Sequence, residues 1–230
     1  MTRAVEFWAV IPAAGTGSRM QSDIPKQYLQ LNGKTVIEHT LDAFCGNKKI
    51  KGIVVAVSEH DTWWKSLAIS SHPKIKTTLG GAERCHSVLN CLRYLSDNAS
   101  SDDWVLVHDA ARPCITSEEI DHLISKLVDH PVGGLLALPV RDTMKRTDMD
   151  NTVSETVSRE GLWHALTPQM FRLSGLTSAL QRAIEHKQIV TDESQAMELM
   201  GLKPLLVEGQ AGNIKITRKD DLALAELYLK

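Results

Sequence analysis

Residues 5–20 read V-E-F-W-A-V-I-P-A-A-G-T-G-S-R-M, and this stretch decides the fold class. Val5 to Ile11 is an apolar run stopped by Pro12, the pattern of a buried strand. Gly15 and Gly17 follow directly, where the backbone can turn tightly and a ligand can come close. Successive N–H groups at the end of a strand can cradle phosphates. Three readings of the loop compete. A dinucleotide fingerprint needs a third glycine at position 20, which is Met20. Gly33-Lys34-Thr35 resembles the tail of a Walker loop, but the leading glycine would fall at position 28, which is Tyr28. The third reading is a strand-to-helix turn with no ligand. Arg19 closes the loop and Lys26 follows in P-K-Q-Y. Two cations beside backbone donors can neutralise a triphosphate, whereas taken singly each reads as a solvated side chain.

Working outward, strands alternate with helices. Helical spacing runs from Thr35 to Phe44, with Gly46 as a stop. Ile50–Val57 is β-branched and strand-like, Glu59–Ile69 reads as a helix, and Ile75–Leu79 as a short strand. Glu83–Leu95 puts Val88, Leu89, Leu92 and Leu95 on one helical face. Trp104–Val107 is a buried strand, and Thr116-Ser-Glu-Glu119 is a capping box opening the next helix. Leu135–Val140 is another strand. Arg141 to Ser158 breaks the rhythm: it is polar and holds Lys145, Arg146, Asp148 and Asp150, so two short antiparallel strands forming a projecting arm are expected. The pattern resumes with helices at Leu173–His186 and near Asp192–Met200, strands at Leu205–Val207 and Ile214–Thr217, and a last helix from Arg218 to Leu229. This order predicts an α/β fold with a mostly parallel sheet, helices on both faces, and one domain carrying the arm.

The 230 residues carry 26 Lys+Arg against 28 Asp+Glu, a net charge of −2. With a pI near 6.5, the chain lacks the basic excess of a nucleic-acid binder, and any anion must be held by local groups. Cys45, Cys85, Cys91 and Cys114 form no C-x-x-C, which argues against a zinc site or a disulfide framework and for idle reduced thiols. The first apolar stretch is too short to cross a membrane and runs into the glycine loop, so no membrane association and a cytoplasmic location are expected.

Residues 104–113 read W-V-L-V-H-D-A-A-R-P. An apolar strand delivers Asp109 at its carboxyl end, where ligands sit in open α/β sheets. A carboxylate there suits Mg²⁺, which takes one or two carboxylates plus substrate phosphates; a turn or capping Asp is the other reading. His108 reads as a packed histidine and Asp102-Asp103 as a solvated start to the strand.

P-A-A-G-T-G-S-R-M, P-K-Q-Y-L, G-G-A-E-R (80–84), H-D-A-A-R-P (108–113), P-V-R-D-T-M-K-R (139–146), G-L-W-H-A-L-T-P-Q (161–169), T-D-E (191–193) and N-I-K-I-T (213–217) recur in this order. Together they make the chain resemble the 2-C-methyl-D-erythritol 4-phosphate cytidylyltransferases over nearly its whole length. The resemblance implies a Rossmann-like nucleotidyltransferase domain binding CTP with Mg²⁺ or another divalent cation, and a homodimer that exchanges β-arms. It implies that Pro12, Ala13, Ala14, Gly15, Thr16, Gly17 and Ser18 hold the nucleotide, with Gly81, Ala82 and Ser87 near the base and ribose. Arg19 and Lys26 would stabilise the transition state and Asp109 would help hold the metal. Arg112, Thr167, Thr191 and Lys215 would line the sugar-phosphate pocket, with Thr143 and Arg159 reaching in from the partner's arm. Family members often have Asp at position 82, and some at 212, where this chain has Ala82 and Gly212; contacts at these places are expected through the backbone.

The implied reaction is attack of a sugar-alcohol phosphate on the α-phosphorus of CTP. The nucleophile is already ionised, so positioning and charge neutralisation suffice and no general base is needed. A ribitol 5-phosphate cytidylyltransferase is the nearest alternative, and a non-catalytic nucleotide-binding protein the alternative from another class. Met20 makes a nicotinamide oxidoreductase a poor third.

Overall fold

The computed structural model describes residues 3–15 and 24–229. Phe7–Pro12 forms β1. A small hairpin follows, β2 (Gln30–Leu31) and β3 (Lys34–Thr35), and leads into α1 (Val36–Gly46). Next come β4 (Ile50–Val57), β5 (Ile75–Leu79), α2 (Arg84–Ser96) and β6 (Trp104–Val107). The second half holds α3 (Ser117–Leu127), β7 (Gly133–Pro139), β8 (Met144–Thr147), β9 (Val153–Val157), β10 (Trp163–Arg172), α4 (Leu173–Glu185), α5 (Glu193–Leu199), β11 (Leu205–Glu208) and α6 (Asp220–Tyr228).

Seven strands make the central sheet in the order β11-β7-β10-β6-β1-β4-β5. β10 alone opposes its neighbours, pairing antiparallel with both β6 and β7, while the other pairings are parallel. The mostly parallel α/β sheet read from the sequence is therefore the one observed. Because β10 runs against both neighbours, β6 and β7 point the same way. The connection from β7 to β10 then leaves from the carboxyl end of both.

Alternation along the strands splits the core between two faces. Ala9, Ile11, Ile53, Val55, Trp104 and Leu106 pack with α1 and α3, whereas Val10, Val54, Val105 and Val107 pack with α2, α4 and α5. Leu106 is fully buried, and Leu106→Ala would cost about 2–5 kcal/mol through lost contacts and a residual cavity.

Five local expectations change. Residues 59–69 are not an α-helix: two 3₁₀ turns, Trp64–Ser66 and Ala68–Ser71, are separated by an extended Leu67. Asp61 Oδ1 accepts from both Trp63 N and Trp64 N, at 3.0 and 2.7 Å, and spends the apolar spacing on a tight turn. The long strand β10 was not foreseen, because Pro168 inside it argues against a strand; the ladder to β7 accommodates it with a register shift between Ala165 and Gln169. Ile214–Thr217 is not a strand but an irregular segment tied by Ile216 N to Ala111 O at 2.8 Å. Only half of the capping box forms: Thr116 Oγ1 accepts from Glu119 N, but the Glu119 carboxylate turns to Gln210 N. Asp103 is not solvated. It is buried and accepts from Glu6 N, Ser100 N, Trp8 Nε1 and Arg3. The region 141–158 does form the expected pair, β8 with β9, as a separate two-stranded sheet whose residues are almost all exposed. Cys45, Cys85, Cys91 and Cys114 form no disulfide with one another.

Candidate active site

The carboxyl ends of β1 and β6 open onto a cavity of about 460 Å³. One wall is the chain leaving β1, where Pro12, Ala13, Ala14 and Gly15 line the space. Gln27 fixes this wall from below, its Nε2 donating to Ala13 O at 2.8 Å and Gly15 O at 3.0 Å. Thr16, Gly17, Ser18 and Arg19 lie outside the described residues. Lys26 lines the same cavity, and its Nζ donates to Ile216 O at 3.1 Å.

The opposite wall is the turn between β5 and α2. Gly81, Ala82 and Ser87 line it, with Ser87 Oγ accepting from Gly81 N at 3.0 Å. The two glycines here are required by space. A Cβ on Gly80 would lie 2.1 Å from Ala14 Cβ, and one on Gly81 would lie 2.3 Å from His86 Cβ. Bare backbone at Gly80 lets the two walls approach closely, and at Gly81 it lets the turn fold tightly onto the start of α2.

Asp109 sits at the floor, 8% exposed. Its Oδ1 accepts from Arg84 Nε at 2.9 Å, its Oδ2 takes Lys215 Nζ at 2.6 Å, and Arg112 Nε stands 3.8 Å away. Burial alone would raise the carboxyl's pKa, but Arg84, Lys215 and Arg112 outweigh it and hold the group well below the usual carboxylate range. His108, the other notable group of this strand end, is buried and engaged at both ring nitrogens, by Thr167 Oγ1 at 2.9 Å and Arg112 O at 3.1 Å. Burial presses its pKa down to about 4, so the ring is neutral near pH 7. It is a packed histidine, as the sequence suggested.

A second cavity of about 150 Å³ adjoins the first and shares Arg84, Asp109 and Lys215 with it. Arg112, Thr167 and Thr191 also line it. The break in the β10 ladder frees Thr167, whose Oγ1 accepts from Asp109 N at 3.2 Å. Asn213 donates from Nδ2 to Thr167 O at 2.8 Å and receives Arg112 Nη1 on its own carbonyl at 2.7 Å. The residues expected at positions 12–15, 26, 81, 82, 87, 109, 112, 167, 191 and 215 are thus brought to one end of the sheet. Thr143 and Arg159 are not. Both are exposed and line neither cavity, and Arg159 donates to Arg141 O.

Four residues that were not singled out belong here: Gln27, Arg84, Glu193 and Asn213. Each lies inside a motif already quoted, but burial of a polar side chain is visible only in three dimensions. Arg84 Nη1 and Nη2 donate to the two oxygens of Glu193 at 2.6 and 3.1 Å. Gly212 also has a local reason: a Cβ there would lie 3.0 Å from Tyr228 Cδ1, because the α6 ring fills that direction. Among the described residues no three His, Cys, Asp or Glu side chains cluster in a way that could hold a metal by themselves. Asp109 remains as a single carboxylate with lone pairs beyond the two used by Arg84 and Lys215. One carboxylate completed by phosphate oxygens suits Mg²⁺.

The family described as 2-C-methyl-D-erythritol 4-phosphate cytidylyltransferase matches residues 7–230. A relative of that name from Vibrio vulnificus is 53% identical over 221 residues, 96% of this chain and 93% of its own length. One from Pseudomonas putida is 53% identical over 217 residues, 94% of this chain and 92% of its own. The crystal structure of a 4-diphosphocytidyl-2C-methyl-D-erythritol synthase superposes with a TM-score of 0.87 at 36% identity, covering 99% of this chain and 100% of the other. That of the Francisella tularensis 2-C-methyl-D-erythritol 4-phosphate cytidylyltransferase does so with a TM-score of 0.85 at 40% identity, covering 97% and 99%. A cation-lined cavity at the strand ends, the motifs that build it and these likenesses agree: the chain belongs to the 2-C-methyl-D-erythritol 4-phosphate cytidylyltransferase family.

Proposed function

We infer that the protein transfers CMP from CTP to 2-C-methyl-D-erythritol 4-phosphate, giving 4-diphosphocytidyl-2-C-methyl-D-erythritol and pyrophosphate, a step of non-mevalonate isoprenoid biosynthesis. The observation that carries this reading is the pair of adjoining cavities sharing Arg84, Asp109 and Lys215. The larger has the size and backbone lining for a nucleotide; the smaller has Arg112, Thr167, Thr191 and Lys215 for a phosphate. The acceptor phosphate is ionised at neutral pH and needs no base. His108 fits that account, being buried and committed at both nitrogens.

Residues 12–18 hold the triphosphate, with the backbone N–H groups of those beyond Ala13 as the donors, since Pro12 has none and Ala13 N is taken by Ala56 O, while Arg19 and Lys26 neutralise charge that builds up in transfer. Gly81, Ala82 and Ser87 face the base and ribose. Arg112, Thr167 and Thr191 seat the acceptor, and Lys215 draws its phosphate toward the α-phosphorus. Asp109 would hold a divalent cation together with phosphate oxygens, and the cation would screen the repelling anions. Thr143 and Arg159 serve the neighbouring subunit of a homodimer through an exchanged β8–β9 arm, and the enzyme works in the cytoplasm. No helix among the described residues is long and apolar enough to cross a membrane.

Purified protein given CTP and 2-C-methyl-D-erythritol 4-phosphate should release pyrophosphate and form the diphosphocytidyl product. UTP should be poorer by roughly 10⁴-fold, since buried groups matched to cytosine are left unpaired by uracil. Turnover with ribitol 5-phosphate instead would move the assignment to the other polyol; no turnover with either would remove the enzyme reading. For the arm, mixing Arg159→Ala and Lys215→Ala chains should regain activity in verified heterodimers, because one of the two sites recovers both groups. No recovery would return Arg159 to its own subunit.

A further inference from the structure

Arg84 is the first residue of α2 and Glu193 the first of α5, helices from different halves of the sequence. The guanidinium joins two carboxylates. Nε donates to Asp109 Oδ1 at 2.9 Å, and Nη1 and Nη2 donate to Glu193 at 2.6 and 3.1 Å. All three nitrogens of the fork are therefore turned to protein carboxylates. Glu193 has no exposed surface, and it stands two residues past Thr191 at the smaller cavity. Asp109 continues the chain of contacts, with Lys215 Nζ on Oδ2 at 2.6 Å. The sequence Glu193–Arg84–Asp109–Lys215 thus runs from a closed corner of the protein to the boundary shared by both cavities.

A buried ion pair is a weak stability device, since packed apolar groups of the same volume often do as well. It is a strong geometric one. A two-pronged arginine–carboxylate contact fixes the plane and direction of both groups, which a lysine cannot do. We propose that Glu193 and Arg84 are positioning residues: Glu193 locks the guanidinium, Arg84 sets the orientation of Asp109, and Asp109 aims Lys215 at the acceptor phosphate. The proposal rests on the functional reading above. It gives G-G-A-E-R a second task beyond the nucleotide wall, and assigns the Glu of T-D-E to the acceptor side although it touches no substrate.

The test uses Arg84→Lys and Glu193→Gln, with Lys215→Ala and the Arg84→Lys/Lys215→Ala double variant. Each positioning variant should lose about 10–100-fold in kcat/KM for the acceptor, while CTP binding by calorimetry falls by clearly less than that. The double variant should be no worse than Lys215→Ala alone beyond about threefold, because both act on one group. Multiplying losses in the double variant, wild-type kinetics in the folded single variants, or a parallel loss of CTP binding would each overturn the proposal. Glu193→Gln keeps the volume and one carbonyl acceptor, so it carries the same test if Arg84→Lys does not fold. Loss of cooperative unfolding in both assigns the pair to structure instead. A wild-type protein that releases no pyrophosphate defeats the functional reading; an active wild type with unaffected variants defeats only the positioning role.

Discussion

β6 has a buried aspartate at each end, and the two are held in different ways. At the amino end, Asp103 accepts from the backbone of Glu6 and Ser100, from the Trp8 indole and from the partly exposed Arg3. Nearby, Arg172 donates to Asp102 O and Leu173 N to Asp103 O. Every partner belongs to the fold, and neither cavity reaches this corner. At the carboxyl end, Asp109 is held by Arg84, Lys215 and Arg112 beside two cavities. Backbone donors cannot leave without unfolding, so Asp103 is a staple. Side-chain cations such as Lys215 can swing toward an incoming anion, so Asp109 is an exchangeable partner. Two residues of one type, six positions apart, divide stability from chemistry by the nature of their donors.

That division is open to attack at both ends. The largest effect should be on turnover: Asp109→Asn should lower kcat by about 10²–10³-fold, measured as pyrophosphate release. Turnover near wild type would erase the distinction. The next is on stability. Asp103→Ala leaves several buried N–H groups without an acceptor and should cost about 2–4 kcal/mol in urea unfolding, with kcat of the folded protein within about twofold of wild type. A marked fall in kcat would make Asp103 more than a staple. The smallest effect is one of pH. Burial would raise the Asp103 carboxyl's pKa, but the N–H donors of Glu6 and Ser100, with Trp8 and Arg3, win and lower it. Its contribution is then complete above the unfolded value near pH 4 and is lost as pH falls through the lower folded value. The stability gap between wild type and Asp103→Asn should narrow as the pH is taken from 5 to 2. A gap that widens toward acid would contradict the staple.

The same contrast explains what could be read in advance. Strands β4 and β6 fall at the expected residues because β-branched and apolar runs have few other outcomes in a sheet covered on both faces. Asp109 was legible because it follows such a run. Asp103 was not: an acidic pair before a strand looks solvated until the chain start folds over it. Ile214–Thr217 shows the reverse error. Its alternation is real, with Ile216 buried and Lys215 at the cavity, but no neighbouring strand pairs with it. β10 was hidden by Pro168, and Arg84 and Glu193 by distance, since a contact spanning 109 residues leaves no local pattern.

The reversed direction of β10 has a consequence for how the chain can vary. β7 and β10 are adjacent, and their connection is closed at its base by Val140 N on Leu162 O at 2.9 Å and by Trp163 opposite Pro139. Everything between is a loop insertion, and closure entropy grows only by about 0.6 kcal/mol for each doubling of loop length. The β8–β9 hairpin can therefore gain or lose residues without shifting the register of the sheet or the aim of Asp109. The length of this hairpin and the integrity of the seven-stranded sheet are independent variables, free to change at different rates.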